Sequence, residues 1–216
     1  LALGIGYGVL PTTGDILRVR ENEKSEPVNG DGEFTTDETD LSFPGFGLSY
    51  QFVRTYRSGV QYVSVLGFNW DHNYDQMILG SRGVAPIAPD RPLQKLAKGF
   101  PIYHSGTMQD IPFTEARASI DLPGETFSYY PSDRRLPYEL SFDTTSQRWT
   151  LRNLETGVVS TFIISSGSGL LSTTTGPTGG QIHVMWDHFP DGTPRVEKVT
   201  DTTGRAIFYN YQNRFL

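Results

Sequence analysis

Apolar and polar side chains alternate through much of this chain, most clearly at residues 48–57. Leu48, Tyr50, Phe52 and Tyr56 fall on one side, with Arg54 among them. Ser49, Gln51, Thr55 and Arg57 fall on the other, and only Val53 breaks the pattern. A period of two over this length predicts a strand half-buried on a sheet. Pro44-Gly45 and Gly47 punctuate its start and Arg57-Ser58-Gly59 its end. Two shorter strands are predicted before it, at 33–36 and 39–43. The alternation resumes at 68–74, with Phe68, Trp70, His72 and Tyr74 on one face, and 77–79 continues it.

Beyond that the pattern is patchier. Residues 80–92 are rich in proline and glycine and read as a loop, and 93–98 is the single short helical candidate. A pair of strands fits within 99–111, 113–119 is ambiguous, and 127–130 and 138–142 read as strands. Residues 149–153 and 158–164 flank Leu154-Glu155-Thr156-Gly157, a hairpin pattern. Residues 165–168 and 173–180 look loop-like. The tail holds three strands: one placing Ile182, Val184 and Trp186 on a shared face, one at 195–200, and one at 205–211 with Ile207, Tyr209 and Tyr211 together. Asp191-Gly192 and residues 201–204 supply the turns, and Arg214-Phe215-Leu216 begins a further strand, so the pattern is expected to continue past the last residue.

The composition agrees with an all-β reading. In 216 residues, 23 glycines and 14 prolines provide frequent turns, and long helix-forming runs are missing. The 18 basic and 24 acidic side chains give a formal charge of -6 with no basic block, which disfavours a nucleic-acid or anionic-membrane surface. There is no cysteine, hence no disulfide framework or thiolate zinc site. No apolar run reaches the ~20 residues of a membrane-spanning helix. Residues 1–9 are apolar but interrupted by Gly4, Gly6 and Gly8. They lack the basic start and small-residue cleavage site of a signal peptide, and read either as an extended segment packed on something else or as a disordered stub.

Three groups of residues carry possible chemistry. Asp71, His72 and Asp75 are close-spaced oxygen and nitrogen donors, as are Asp187, His188 and Asp191. On a strand, however, Asp71 and His72 point to opposite faces, which favours a turn-capping aspartate and a packed histidine over a metal site. Glu33, Asp37, Glu38 and Asp40 form an acidic cluster in which paired carboxylates would suit glycosidic chemistry, although turn chemistry and solvation explain them more simply. Ser166 lies in a glycine-flanked loop without the Gly-x-Ser-x-Gly elbow of a nucleophile, and no phosphate loop or dinucleotide fingerprint appears. No catalytic, cofactor-binding or metal residue is assigned.

The tail also carries a repeat signal. Trp186-Asp187 and Tyr211-Gln212 end equivalent strands, with Arg195, Asp201 and Gly204-Arg205 between them. Asp187, Gly192, Arg195, Val199, Asp201, Gly204-Arg205, Tyr209 and Tyr211 resemble the RHS/YD-repeat pattern of bacterial polymorphic toxins and teneurin-like shells. The sequence departs from it at Trp186, at Gln212 and at the inserted Thr193-Pro194. Pro27, Asn29, Gly32, Phe34, Thr39, Leu41, Pro44-Gly45, Arg54, Tyr56, Leu66-Gly67, Trp70, His72 and Tyr74-Asp75 resemble the segment that precedes the repeats in bacterial RHS proteins. The likeness spans 27–75 and 138–216 and does not extend to 1–26 or 80–132.

The resemblance implies antiparallel hairpins forming part of a spiral YD-repeat β-shell with an irregular N-terminal cap. Residues 1–26 would be a plug or cap, 27–79 the segment leading into the repeats, 80–132 a loop-rich insertion and 133–216 the first repeat hairpins. It implies a non-catalytic, secreted or cell-surface segment of a bacterial toxin that encloses a C-terminal toxin or effector domain. Its partners would be the rest of the shell, the enclosed domain and secretion-apparatus components. Arg54, Arg195 and Arg205 match the family pattern and are expected to pair with turn carboxylates or stack on aromatic rings. The family's self-cleaving aspartates lie beyond this chain, so no catalytic role is carried over. Two other readings stay open: a teneurin-like adhesion shell, and a carbohydrate-binding or glycoside-hydrolase domain using aromatic strands as a sugar platform. An open sheet edge is expected, and with it a need for a partner chain or the remaining shell.

Overall fold

The computed structural model describes residues 32–45, 47–80, 100–115, 126–165 and 167–212. The expected cap at 1–26 and the helical candidate at 93–98 lie outside them. Among the described residues every regular element is a strand, and every pairing is antiparallel, as the alternation predicts.

The N-terminal part forms a three-stranded sheet in the order β1 (Thr35–Phe43), β2 (Tyr50–Arg57), β5 (Trp70–His72), with a small hairpin of β3 (Val63–Ser64) and β4 (Gly67–Phe68). The two strands expected at 33–36 and 39–43 are one. A bulge at Asp40 interrupts its pairing, since Thr39 faces Val53 while Leu41 faces Phe52. In β2, Tyr50 and Phe52 are buried as expected, but Thr55 is buried as well. The sheet is covered on both faces at this point. Phe52 and the adjacent His72 pack against Tyr209 on one side, while Arg57 reaches Met108 on the other. Nor do residues 68–74 run as one strand. Asn69 adopts φ 62°, a left-handed conformation that asparagine tolerates, and Phe68 is left exposed.

The chain then leaves this sheet. β6 (Met77–Leu79), expected to continue β5, opens a second sheet. It proceeds as a meander through β7 (Ile102–His104), β8 (Asp110–Glu115), β9 (Thr126–Pro131), β10 (Tyr138–Asp143), β11 (Arg148–Asn153), β12 (Val159–Ser165) and β13 (Ser168–Thr175). One edge of β13 pairs with β12. The first half of its other edge pairs with β6, Gly169 opposite Ile78 and Leu170 opposite Met77, which closes a ring of eight strands. Its second half, from Thr173 to Thr175, pairs instead with β14 (Gln181–His188), and β15 (Pro194–Asp201) and β16 (Ala206–Phe208) extend the sheet from there.

An eight-stranded ring is just wide enough for side chains to fill. Here the filling is aromatic and aliphatic: Trp149, Tyr129, Phe113, Phe162, Ile78 and Leu140 are fully buried, and Trp149 packs on Tyr129 and Phe142. Gly169 keeps the closure tight, because a methyl there would come within 3.1–3.3 Å of Trp149, Ile78 and Phe162. The stretch 80–132, expected to be an irregular insertion, contributes β7, β8 and β9 to this ring. The hairpin at 149–164 and the first two tail strands stand where the pattern puts them; the third, expected at 205–211, is the short β16 (Ala206–Phe208), and β13 runs through residues expected to begin a loop.

Candidate functional site

The most polar buried region lies where β5 meets the β7–β8 turn. Asp71 is fully buried and His104 nearly so. His104 Nε2 lies 3.2 Å from Asp71 Oδ2, and its Nδ1 lies 2.7 Å from Asp110 Oδ1. The Tyr62 ring stacks on the imidazole at 5.2 Å, and its hydroxyl donates to Asp75 Oδ2 at 3.4 Å. Asp71 also accepts the backbone N–H of His72 at 2.8 Å, and its charge acts on the buried Asp75. Gly106 makes the approach possible, since its Cα side faces the His72 carbonyl and Asn73 without room for a methyl.

The electrostatics follow from this packing. Burial disfavours a charged imidazole at His104, but hydrogen bonds to Asp71 and Asp110 and the nearby negative charge outweigh it and push the ring up to about 9. Burial, then the charge of Asp71, pushes Asp75 up to about 7. Burial also raises Asp71, against the pull of its hydrogen bonds to His104 and the His72 amide. Both ring nitrogens of His104 face carboxylates, which leaves no nitrogen lone pair directed at a metal.

The residues singled out in the sequence are dispersed. His72 points away from Asp71, into the apolar face between Phe52 and Tyr209. Burial pushes it down to about 3, so the ring is neutral. Asp187 is bound to Arg195, His188 Nε2 lies 3.3 Å from Ser165 Oγ, and Asp191 accepts the Thr193 amide within its turn. In the acidic group, Glu33 holds Arg57 through both oxygens, Asp37 accepts the Thr55 hydroxyl, Asp40 holds Arg54, and Glu38 stands opposite Arg54 in register. These carboxylates face Arg57, Thr55 and Arg54, the last shared by Asp40 and Glu38, and do not converge on one another. Ser166 lies outside the described residues. His104, Asp110 and Tyr62 were not singled out in the sequence. Asp71 and His104 are far apart along it, and only the ring geometry brings them together.

The three arginines do what the resemblance implies. Arg54 binds Asp40 and lies over Trp70. Arg195 binds Asp187 and lies over Phe189 and Tyr211, at 4.7 and 5.2 Å from the ring centres. Arg205 binds Asp201, donates to the Pro44 carbonyl and lies over Phe43.

This is a closed antiparallel β fold with arginine-stapled hairpins, and known structures share it. The sequence profile of a domain of unknown function, DUF6531, matches residues 25–91. No curated protein matches the chain. A crystal structure of TcdB2-TccC3-Cdc42 superposes with a TM-score of 0.52 at 15% identity, over 79% of this chain and 9% of that one. A Photorhabdus luminescens Tc holotoxin pore with a mutated TccC3 gives a TM-score of 0.51 at 14% identity, over 77% of this chain and 9% of that one. The N-terminal domain of the effector protein SpvB from Salmonella typhimurium overlaps more loosely, at a TM-score of 0.44 and 13% identity, over 80% of this chain and 67% of that one. The chain thus has the fold of a small part of the Tc toxin complexes and spans about a tenth of the length of those matched chains.

Proposed function

We propose that this chain is a non-catalytic wall segment of a larger toxin-type β-shell, one that encloses a C-terminal effector domain and keeps it away from the cell that makes it. The observation that carries this reading is the way the sheet leaves its own ring. β14, β15 and β16 extend the sheet from the second half of β13, and β16 is its outermost strand among the described residues. Such an edge is suited to pairing with a further strand of a longer wall. The fold shared with a small part of much larger Tc toxin chains supports the same reading. The expected partners are the rest of the shell, the enclosed domain and the secretion apparatus, in a secreted or surface-exposed bacterial protein.

The three tryptophans argue against a sugar platform built on them. Trp149 is inside the ring, Trp70 is covered by Arg54 and Tyr56, and the Trp186 indole donates to the Leu171 carbonyl at 2.6 Å. The test is limited proteolysis, with mass analysis, of the natural protein that carries this chain. A C-terminal domain that resists digestion until the shell is denatured is the expected result. A domain cut as fast within the protein as when expressed alone overturns the reading. Glycan binding or hydrolysis by the chain, or anchoring of the intact protein in a membrane as an adhesion molecule, would replace it with one of the alternatives.

A further inference from the structure

We infer that the network of Tyr62, Asp75, Asp71, His104 and Asp110 is a proton-dependent clamp, which fastens the three-stranded sheet to the β7–β8 turn while protonated and lets that turn open when its protons leave. This inference rests on the fold alone and does not depend on the shell reading.

The geometry requires the protons. A neutral imidazole has one N–H, yet both nitrogens of His104 lie within hydrogen-bond distance of a carboxylate oxygen, Asp71 on one side and Asp110 on the other. With a single proton, one of these contacts would set a lone pair against a carboxylate. Asp71 and Asp75 are both buried carboxyls, and burial followed by the charge of Asp71 raises Asp75, which favours a proton held on the pair. The network crosses the boundary between the two sheets, with Asp71 on β5 and His104 and Asp110 on β7 and β8.

Titratable and charged groups face the network from several elements, including Tyr211 after β16, whose hydroxyl is raised by burial and then by the charge of Asp75, against the pull of Arg195. Asp71 and Asp75 come from β5 and the turn after it, Tyr62 from the segment before β3, and Asp110 from β8. From β2, Arg57 donates to the Met108 carbonyl of the turn at 3.0 Å and is itself held by Glu33. Other ties of this sheet go to the β14–β16 extension and its end: Tyr50 to the Val199 carbonyl, Phe52 and His72 to Tyr209, and Arg205, itself held by Asp201, to the Pro44 carbonyl. Loss of protons therefore loosens the β7–β8 turn and leaves the rest of the packing in place. The side chain of Asp110 is 60% exposed, which gives solvent a route to the ring.

The direction is the same for both groups. His104 is raised to about 9 from an ordinary 6.5, so its contribution is complete below about 6.5 and is lost as pH rises through about 9. Asp75, raised to about 7 from 3.8, also binds its proton more tightly when the turn is docked, and that contribution fades between those values. Acid closes the clamp and base opens it.

The test is amide hydrogen exchange of residues 105–109 in the full chain from pH 6 to 9.5, corrected for intrinsic exchange, together with an NMR titration of the His104 ring. In the wild type, opening of the turn is expected to rise up to tenfold per pH unit between about 6.5 and 9, with the ring still an imidazolium at pH 8. His104→Gln should open the turn at every pH and flatten the profile. Asp110→Asn changes an exposed group, so folding is preserved, and it should shift the rise to lower pH. A His104 ring that titrates near 6.5, or exchange at 105–109 that does not depend on pH in the wild type, overturns the inference.

Discussion

Replacing Gly106 by alanine probes how the two sheets meet. The added methyl would sit 2.7 Å from Asn73 Cα and closer still to the His72 carbonyl oxygen, both backbone atoms of the facing segment. Two responses are open to the protein. It can keep the turn docked and absorb the overlap, at the ~1–3 kcal/mol typical of overpacking. Or it can lift the turn and lose the Asp71–His104 contact and the Arg57 bond to Met108, where hydrogen bonds involving charged groups are each worth ~1.5–3 kcal/mol. The cheaper route decides, so the expected cost is about 2 kcal/mol, which corresponds to a roughly thirtyfold larger equilibrium constant if it falls on opening of the turn. Gly179→Ala is a useful control. Its methyl would meet open space, and the cost would come only from φ 88°, about 1 kcal/mol. Denaturant unfolding gives the global cost, and amide exchange at 105–109 shows whether the loss is local. A Gly106→Ala protein within 0.5 kcal/mol of wild type by the linear-extrapolation analysis, with unchanged exchange in the turn, would refute the close approach described here.

Three further outcomes are expected. Trp149 is fully buried and its indole N–H has no acceptor among the described residues. Trp149→Phe removes that unsatisfied donor, worth ~1–3 kcal/mol, and so offsets much of the void it leaves, whereas Trp149→Ala should cost ~3–5 kcal/mol; equal losses in urea titrations would count against this. Tyr50→Phe deletes the 2.6 Å bond to the Val199 carbonyl and should cost ~1–2 kcal/mol, seen as faster exchange in β15. Arg195→Lys keeps the charge but loses the planar contact with Phe189 and Tyr211, and a double-mutant cycle with Phe189→Leu should return a coupling of ~0.5–1 kcal/mol.

Much of the fold could be read from the period-two pattern. Most of β2, the β11–β12 hairpin, β14 and β15 follow it because alternate side chains turn to the core. The pattern fails where tertiary packing decides. Thr55 is buried because both faces of β2 are covered near it, a fact no alternation can encode. β13 opens on Ser168-Gly169 and ends in threonines without an apolar alternation, next to the glycine-rich turn that follows, so the pattern hides a strand that β12, β6 and β14 all pair with. The opposite orientations of Asp71 and His72 were legible from strand geometry. That Asp71 would instead meet His104 was not, because the two come from different sheets. The arginine staples could be read because each lies near its carboxylate along the chain or across a hairpin.

The divided pairing of β13 also bears on how the chain folds. Its bonds to β12 and β14 join neighbours in sequence through short turns, and such local contacts form early because little loop entropy is lost. Its bond to β6 joins Ile78 to Gly169 across the whole meander, the kind of long-range contact that slows folding. The hairpins are therefore expected to assemble first and the ring to shut last, with Gly169 as the position where one extra methyl speeds reopening more than it delays shutting.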